Sequence, residues 1–249
     1  MGPNAKTTTV STIATYATLT AAQAVGGASL LLFGVFLVIG PFELIDLGLS
    51  PPAALWVDGF LCLAFCVQHS VMVRQSFRRR LEAIVPGYVH GAVYALASGI
   101  VLMALLIFWQ SVMPPLVALE GTARWVLRAP ALAAILGIIW GVRALRSFDP
   151  FGVRPVIARL RHRELKELPL AVRGPYRWVR HPLYTCILLL LWCFPDLSGD
   201  RLLLNMMLTI WVVLGSVLEE RDLVSRFGEQ YMKYQRDVPM LIPWRIPPV

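Results

Sequence analysis

Six apolar stretches separated by short polar loops constrain the fold of this chain more than any other feature. They fall at residues 22–42, 53–73, 89–110, 125–145, 183–194 and 202–218. A transmembrane helix needs about 20 predominantly apolar residues. Charged residues make up only 15% of the chain, against about 25% in soluble domains. The sequence therefore predicts an all-α, polytopic membrane protein with about six transmembrane helices.

The last two apolar stretches are joined by a very short connection. Residues 195–200, PDLSGD, combine Pro, Gly, Ser and Asp, which favour turns. The sequence therefore predicts a C-terminal helical hairpin in the membrane. The stretch at 183–194 is short for a full crossing, so its helix is expected to begin in the basic segment before it.

Positive charges are distributed unevenly between the loops. Twenty of the 23 Lys and Arg residues fall in alternate loops and in the two terminal segments, whereas Arg124, Arg128 and Arg201 lie in the others. Cytoplasmic loops of membrane proteins are enriched in Lys and Arg, so both termini are predicted to be cytoplasmic. The net charge of +8 is therefore explained by membrane topology, because the basic residues lie in short loops between apolar stretches. This distribution argues against nucleic acid as a partner.

The long cytoplasmic segments hold most of the side chains that can do polar chemistry. Three regions are predicted. They are a disordered N-terminus at 1–20, a four-helix transmembrane region at 21–145 and a C-terminal region with the hairpin at 146–249. All four cysteines lie within apolar stretches, where they are expected to pack as small hydrophobic side chains. Cys62 and Cys66 share a helix face, but no second Cys or His pair at ligand spacing accompanies them, so no metal site is predicted.

The segment GPYRWVRHPLY, residues 174–184, places ionisable side chains and a proline before the fifth stretch. Proline is favoured in the first turn of a helix, so the helix is predicted to begin at Pro182, with His181 near its N-cap. The free N–H groups of a helix start attract carboxylates and phosphates, and Tyr184 lies within the first turn. Arg180 and Tyr184 are equally typical of side chains that anchor a helix at the membrane surface, so both interpretations stay open.

Two adjacent glutamates, Glu219 and Glu220, follow the sixth stretch. Negative charge at a helix C-terminus opposes the helix dipole. Such a pair requires a cation or a hydroxyl-rich ligand as its partner, unless the helix simply continues into solvent. The predicted hairpin returns both glutamates to the same membrane face as His181.

Further polar candidates lie near the cytoplasmic ends of the second and fourth stretches. His69 lies inside the second stretch and Arg74 follows it. Ionisable residues within a span are functional candidates, although a lone histidine near a helix end is as often bonded to a neighbour. Asp149 and Arg154 flank a turn in RSFDPFGVRP. That loop either lines the mouth of a pocket or turns the chain along the membrane surface.

The motifs in the C-terminal half together resemble a known family. GPYRWVRHPLY, the hairpin and LEERDLVSRFGEQYMKYQRDVPMLIP, over about 174–243, are similar to the signature of integral membrane methyltransferases. That group includes isoprenylcysteine carboxyl methyltransferase and phospholipid N-methyltransferases. QHSVMVRQSFRRRLEAIVP (68–86) and FDPFGVRP (148–155) resemble the bacterial methanethiol S-methyltransferase group, which is related to NnrU-like membrane proteins.

The resemblance implies an S-adenosylmethionine-dependent enzyme of a bacterial inner (plasma) membrane, with its active site facing the cytoplasm. It makes 146–249 the cofactor-binding catalytic region, with cofactor contacts from Arg180, His181, Pro182, Tyr184, Glu219 and Glu220. The helix start and Arg180 suit the cofactor carboxylate, and the glutamates suit its amino and hydroxyl groups. A thiol acceptor has to lose its proton, and location and resemblance make His69, Arg74 and Asp149 the candidate catalytic residues.

The expected acceptor is a small apolar thiol such as methanethiol, methylated to dimethyl sulfide, that arrives through the lipid bilayer. A prenylated or lipid acceptor is the alternative within the same class. Membrane sterol reductases share a similar Arg-His-Pro signature, but this chain is short for one. A haem-binding NnrU-like protein or isomerase, with His69 and another histidine as axial ligands, is an alternative of another class. A transporter or scaffold predicts no cofactor binding.

Overall fold

The computed structural model describes residues 4–145, 148–165 and 168–245, with side chains from residue 12 onward. Within those ranges the chain is mostly helical. The α-helices are α1 (Asn4–Ala21), α2 (Gly27–Ile39), α3 (Pro51–Val73), α4 (Gln75–Leu81), α5 (His90–Phe108), α6 (Gly121–Leu145), α7 (Val153–Leu160), α8 (Pro182–Trp192), α9 (Gly199–Phe227) and α10 (Glu229–Asp237).

Short elements connect these helices. A π-helical turn, Ala22–Gly26, joins α1 to α2, and 3₁₀ turns at Gly87–Val89 and Gly174–Arg177 precede α5 and α8. Two short strands, β1 (Val117–Ala118) and β2 (Asp196–Leu197), pair antiparallel. They tie the α5–α6 loop to the α8–α9 loop, so both loops lie at one end of the bundle.

Five helical segments of the described chain are long and apolar enough to cross a membrane, namely Thr12–Ile39, Pro51–Val73, Gly87–Phe108, Gly121–Leu145 and Gly199–Phe227. The prediction of a helical integral membrane protein is therefore confirmed. The remaining predicted stretch forms α8, which has 11 residues. At 1.5 Å per residue α8 is about 16 Å long, roughly half the thickness of the hydrocarbon core. The count of six crossings and the cytoplasmic termini stay predictions.

The first helix begins earlier than the sequence predicts. The chain is helical from Asn4, whereas disorder is expected over 1–20, and residues 1–3 lie outside the described part. Leu19 and Ala22 are buried in one cluster with Ala92 of α5. Tertiary packing stabilises helices more than local propensity does, and this contact comes from a distant helix. The local N-terminal sequence therefore does not reveal it.

Glycines allow neighbouring helices to approach closely. A Cβ atom on Gly99 of α5 would lie 2.9 Å from the Cα atom of Gly26. A Cβ atom on Gly137 of α6 would lie 2.7 Å from the sulfur of Cys186 in α8. The second contact packs the short helix α8 tightly against the bundle.

Buried carboxylates fasten the end of the bundle that holds the α8–α9 loop. Asp200 accepts hydrogen bonds from Nε1 of Trp109 at 3.0 Å and from the backbone N–H of Val112 at 3.1 Å. Oδ1 of Asp58 accepts a hydrogen bond from the backbone N–H of Gln110 at 2.9 Å. The two carboxylates thereby attach the chain after α5 to α3 and α9.

Arg201 binds carbonyl groups at the ends of two helices. Its Nη2 donates to the carbonyl of Leu37 at 2.9 Å and lies 3.4 Å from the carbonyl oxygens of Leu190 and Leu191. These carbonyls belong to the last turns of α2 and α8, where they lack helical partners and carry partial negative charge. We call this buried group the Asp200 cluster, which consists of Asp58, Trp109, Gln110, Asp200 and Arg201.

Candidate functional site

The segment before α8 is held by the C-terminal part of the chain. The backbone N–H of Arg180 donates to the carbonyl of Pro239 at 2.9 Å, and that of His181 donates to the carbonyl of Met240 at 3.1 Å. Helix α8 then begins at Pro182, as the sequence predicts. These contacts fix the start of α8 beside the C-terminal half of α9.

A bidentate ion pair joins the two elements. Nε of Arg180 donates to Oε1 of Glu220 at 2.6 Å, and Nη2 donates to Oε2 at 3.0 Å. Nη1 donates to the carbonyl of Gln235 at 3.0 Å and also to the carbonyl of Val238. The two charged side chains are only 9% and 10% exposed. A buried pair of this kind is tolerated because its geometry satisfies both partners.

Two further groups complete the surroundings of the Glu220 carboxylate. Nε2 of Gln235 donates to Oε2 at 2.8 Å, and Nε2 of His181 lies 3.2 Å from Oε1. Each oxygen of Glu220 therefore has two partners within the protein. This carboxylate is placed to hold Arg180 and His181 in position.

Glu219 is the open carboxylate of the pair. Its side chain is 46% exposed, and Nδ1 of His181 lies 3.8 Å from its Oε2. The same oxygen accepts a hydrogen bond from the hydroxyl of Tyr184 at 2.9 Å. The rings of His181 and Tyr184 stack with their centroids 5.4 Å apart. We call this group the Glu220 cluster, which consists of Arg180, His181, Tyr184, Glu219, Glu220 and Gln235.

Helix α10 supports the Glu220 cluster with residues to which the sequence assigned no role. Tyr231 and Tyr234 are buried, and the hydroxyl of Tyr234 donates to the carbonyl of Tyr176. Burial raises the pKa of the Tyr231 and Tyr234 phenols, and Glu220 raises the pKa of both as well. Both phenols therefore stay protonated. The i, i+3 spacing of the tyrosines indicates one helix face, but it does not identify the surface that this face contacts. No feature of the sequence distinguishes Gln235 as a partner of Glu220.

His69 lies among aromatic rings near the end of α3. Its Nε2 is 2.5 Å from the hydroxyl oxygen of Tyr94. The imidazole contacts the rings of Phe65, Tyr94 and Trp211, with centroids 5.4, 5.0 and 5.1 Å away. Sequence reasoning missed Tyr94 and Trp211 because an aromatic residue within a span is usually a packing residue.

The aromatic surroundings of His69 and the Glu220 cluster are connected through α9, where Trp211, which contacts the imidazole, lies about two turns before Glu219. The charge of Glu219 is close enough to act on the Tyr94 phenol, and the Tyr94 and Tyr184 phenols are within electrostatic range of each other. His69 therefore lies at the same end of α9 as the residues that the resemblance assigns to the cofactor, without direct contact among the described residues. The residues at this end of the bundle come from α3, α5, α8 and α9.

Arg74 and Asp149 make other contacts. Nη1 of Arg74 lies 4.0 Å from Asp222 of α9, and both side chains are exposed. The two carboxylate oxygens of Asp149 accept hydrogen bonds from the backbone N–H groups of Val153 and Arg154, at 2.8 Å each. Asp149 thereby caps the first turn of α7. A catalytic role for Asp149 or Arg74 stays a prediction.

The Glu220 cluster has the chemistry to bind a ligand that carries a positive and a negative charge. The N–H groups of Leu183 and Tyr184, in the first turn of α8, lack intrahelical acceptors and can bind a carboxylate. Glu219 can accept hydrogen bonds from an ammonium group or from hydroxyl groups. Among the described residues, no three His, Cys, Asp or Glu side chains come together as a metal site requires, and Cys62 and Cys66 are free thiols in the hydrophobic core.

The fold and the site define a polytopic helical membrane protein with a charged, accessible cluster near one end of its bundle. The chain matches the family model described as NnrU protein over residues 59–241. It belongs to the NnrU protein family. The matched region runs from within α3 to beyond α10, and it includes His69 and the whole Glu220 cluster.

Curated relatives are similar to most of the chain. It is 35% identical to a methanethiol S-methyltransferase of Pseudomonas sp. (strain GM41(2012)) over 80% of this chain and 76% of the relative. It is 36% identical to the methanethiol S-methyltransferase of Pseudomonas deceptionensis over 79% and 75%. It is 32% identical to that of Mycobacterium tuberculosis over 77% and 79%. No solved structure matches the chain.

Proposed function

We propose that this protein is an S-adenosylmethionine-dependent methyltransferase of a bacterial plasma membrane that S-methylates methanethiol or another small apolar thiol. The names of the relatives support this reaction. The observation that carries the proposal is the position of Glu219. Its exposed carboxylate is held by Tyr184 beside the start of α8, and it lies within electrostatic range of Tyr94, which is bonded to His69.

The Glu220 cluster fits the charged end of the methyl donor. The first-turn N–H groups of α8 would bind the donor carboxylate, and Glu219 would bind its amino or hydroxyl groups. Glu220 is already surrounded by protein donors, so it acts by positioning Arg180 and His181. This division of roles explains the need for two adjacent glutamates.

When bound, S-adenosylmethionine would supply an electrophilic methyl group to the thiolate, and the electron pair of the broken C–S bond would remain on the donor sulfur. The thiol first loses its proton, because the thiolate is the nucleophile. In this proposal the Tyr94 hydroxyl, which is bonded to His69, takes that proton while its own proton passes to Nε2 of His69. Phe65 and Trp211 exclude water around the imidazole.

The loop charges support a cytoplasmic location for this site. The Glu220 cluster lies at the end of α9 that faces the arginine-rich segments, and the positive-inside rule places those segments in the cytoplasm. The water-soluble donor would enter from that side. The apolar thiol would arrive through the bilayer.

Calorimetric binding of S-adenosylhomocysteine, the product of the donor, tests the proposal in purified protein. The wild type is expected to bind, and Glu219→Gln is expected to weaken binding by about 10- to 100-fold, since a hydrogen bond to a charged group is lost. Asp222→Asn removes the same charge one turn further along α9 and serves as the matched control. It is expected to bind like the wild type.

Methyl transfer is measured in the same preparation from the dimethyl sulfide released after methanethiol is added. A wild type that neither binds the product nor releases dimethyl sulfide would contradict the proposal. A Soret band in the absorbance spectrum would instead support haem binding. A panel that includes a farnesylated thiol separates a small acceptor from a prenylated one.

A further inference from the structure

Gly215 lies at the edge of the face of α9 that points into the helix bundle. That face is buried at Leu208, Val212, Ser216 and Glu220. Gly215 lies beside it and is partly exposed, and Glu219 is exposed one turn further along. The opposite face contacts the surroundings of the bundle, since large apolar side chains are exposed there at Met206, Ile210 and Leu214.

The space beside Gly215 is open. A Cβ atom added there would meet no other heavy atom within 4 Å. At Gly137, which faces a neighbouring helix, the added Cβ would lie 2.7 Å from a sulfur atom. Gly215 is therefore open on the side where a side chain would point. We call this open space at the edge of α9 the void.

The walls of this void carry the groups that the proposed reaction needs. Trp211 and Glu219 lie one turn before and one turn after Gly215, which places them about 6 Å away along α9. Trp211 contacts His69, which is bonded to Tyr94. The void therefore separates the imidazole–phenol pair from the carboxylate assigned to the donor.

We infer that the void beside Gly215 is the pocket for the methyl acceptor, and that the absence of a side chain at this position limits the acceptor to a small apolar thiol. This inference rests on the proposed function. The aromatic walls suit a sulfur atom, because sulfur makes favourable contacts with ring edges. Tyr94, which is bonded to His69, would take the thiol proton. The thiol sulfur then lies between that pair and the donor site at Glu219.

Substitutions at Gly215 test this pocket. Gly215→Leu fills the void, so kcat/KM with methanethiol is expected to fall by about 100-fold, while the affinity for S-adenosylhomocysteine stays within about twofold of the wild type. Gly215→Ala narrows the void by one methyl group. It is expected to lower kcat/KM for butanethiol by about 10-fold more than for methanethiol.

Gly34 provides the matched control. It is also a helical glycine in a membrane-spanning segment, and a Cβ atom there meets nothing within 4 Å. It lies in α2, one turn before the carbonyl that Arg201 binds, so it is remote from the Glu220 cluster. Gly34→Leu and Gly34→Ala are expected to keep the affinity and the thiol preference of the wild type.

The outcomes separate the pocket from the proposed function. If Gly215→Leu binds S-adenosylhomocysteine and methylates methanethiol at the wild-type rate, the pocket is overturned and the methyltransferase function stands. If Gly215→Leu does not bind S-adenosylhomocysteine, the decision passes to Gly215→Ala, and an unchanged preference between the two thiols overturns the pocket. A wild type without product binding and without methyl transfer overturns both.

Discussion

Helix α9 carries buried charged residues at both ends, and the two ends use them differently. At its N-terminal end, Asp200 and Arg201 are 2% and 3% exposed and bind backbone groups and Trp109. At the other end, Glu220 is buried in a similar way, but the adjacent Glu219 faces open space. Ionisable residues in a span are functional candidates by default. The surroundings assign Asp200 and Arg201 to the packing of the bundle and leave the Glu219 carboxylate open to a ligand.

The Asp200 cluster also accounts for a charge that departs from the positive-inside pattern. Arg201 is one of three arginines outside the alternate loops, and it closes the carbonyl ends of α2 and α8. Arg124, another of the three, forms a bidentate pair with Asp196. Both arginines have structural partners, so they do not weaken the topology signal of the others.

Removing Glu220 is expected to have the largest effect. Glu220→Ala leaves the Arg180 guanidinium buried without its counter-charge, which lowers the free energy of unfolding by about 3–5 kcal/mol. Thermal unfolding in detergent measures this loss, and product binding is expected to disappear with it. Glu220→Gln is the control, because it keeps the shape and isolates the charge. An unchanged melting temperature for Glu220→Ala would contradict the role assigned to this carboxylate.

Removing Arg201 tests the opposite end of α9. Arg201→Met leaves the buried carbonyls of α2 and α8 without a donor, so the free energy of unfolding is expected to fall by about 2–4 kcal/mol. Product affinity of the folded fraction should stay within about twofold of the wild type. Arg124→Met removes a partly exposed pair and is expected to cost about 1 kcal/mol or less. Selective loss of product binding in a stable Arg201→Met protein would break the distinction between the two ends.

The smallest expected effect concerns Asp149, which the sequence associates with catalysis and the structure associates with α7. Asp149→Ala removes the cap and is expected to lower the free energy of unfolding by about 1 kcal/mol. Asp149→Ser keeps a capping oxygen and is expected to restore most of that stability. Rates of dimethyl sulfide release then show whether Asp149 also takes part in catalysis. If both variants are folded but equally inactive, Asp149 acts in the reaction and not only as a cap.

Residues close together in sequence were the easiest to predict. The start of α8 at Pro182 follows from local chemistry, and the apolar stretches give the membrane-spanning helices to within a few residues for Pro51–Val73 and Gly87–Phe108. The helical N-terminus was not predictable locally, because contacts with α5 stabilise it. Tyr94 and Trp211 were missed for a similar reason, since only their contact with His69 distinguishes them from packing residues.

The sequence by itself determined that this chain is a helical membrane protein, because apolar length and loop charge act locally and add along the chain. It also identified Arg180, His181, Glu219 and Glu220 as one group, since a hairpin must return to the face from which it starts. Only the tertiary structure decided that Glu220 is enclosed while Glu219 is open. That distinction depends on Gln235 and on the chain after α10, whose contacts are made across long sequence distances. Burial and hydrogen bonding are properties of the packed molecule, and a pattern of residue types does not contain them.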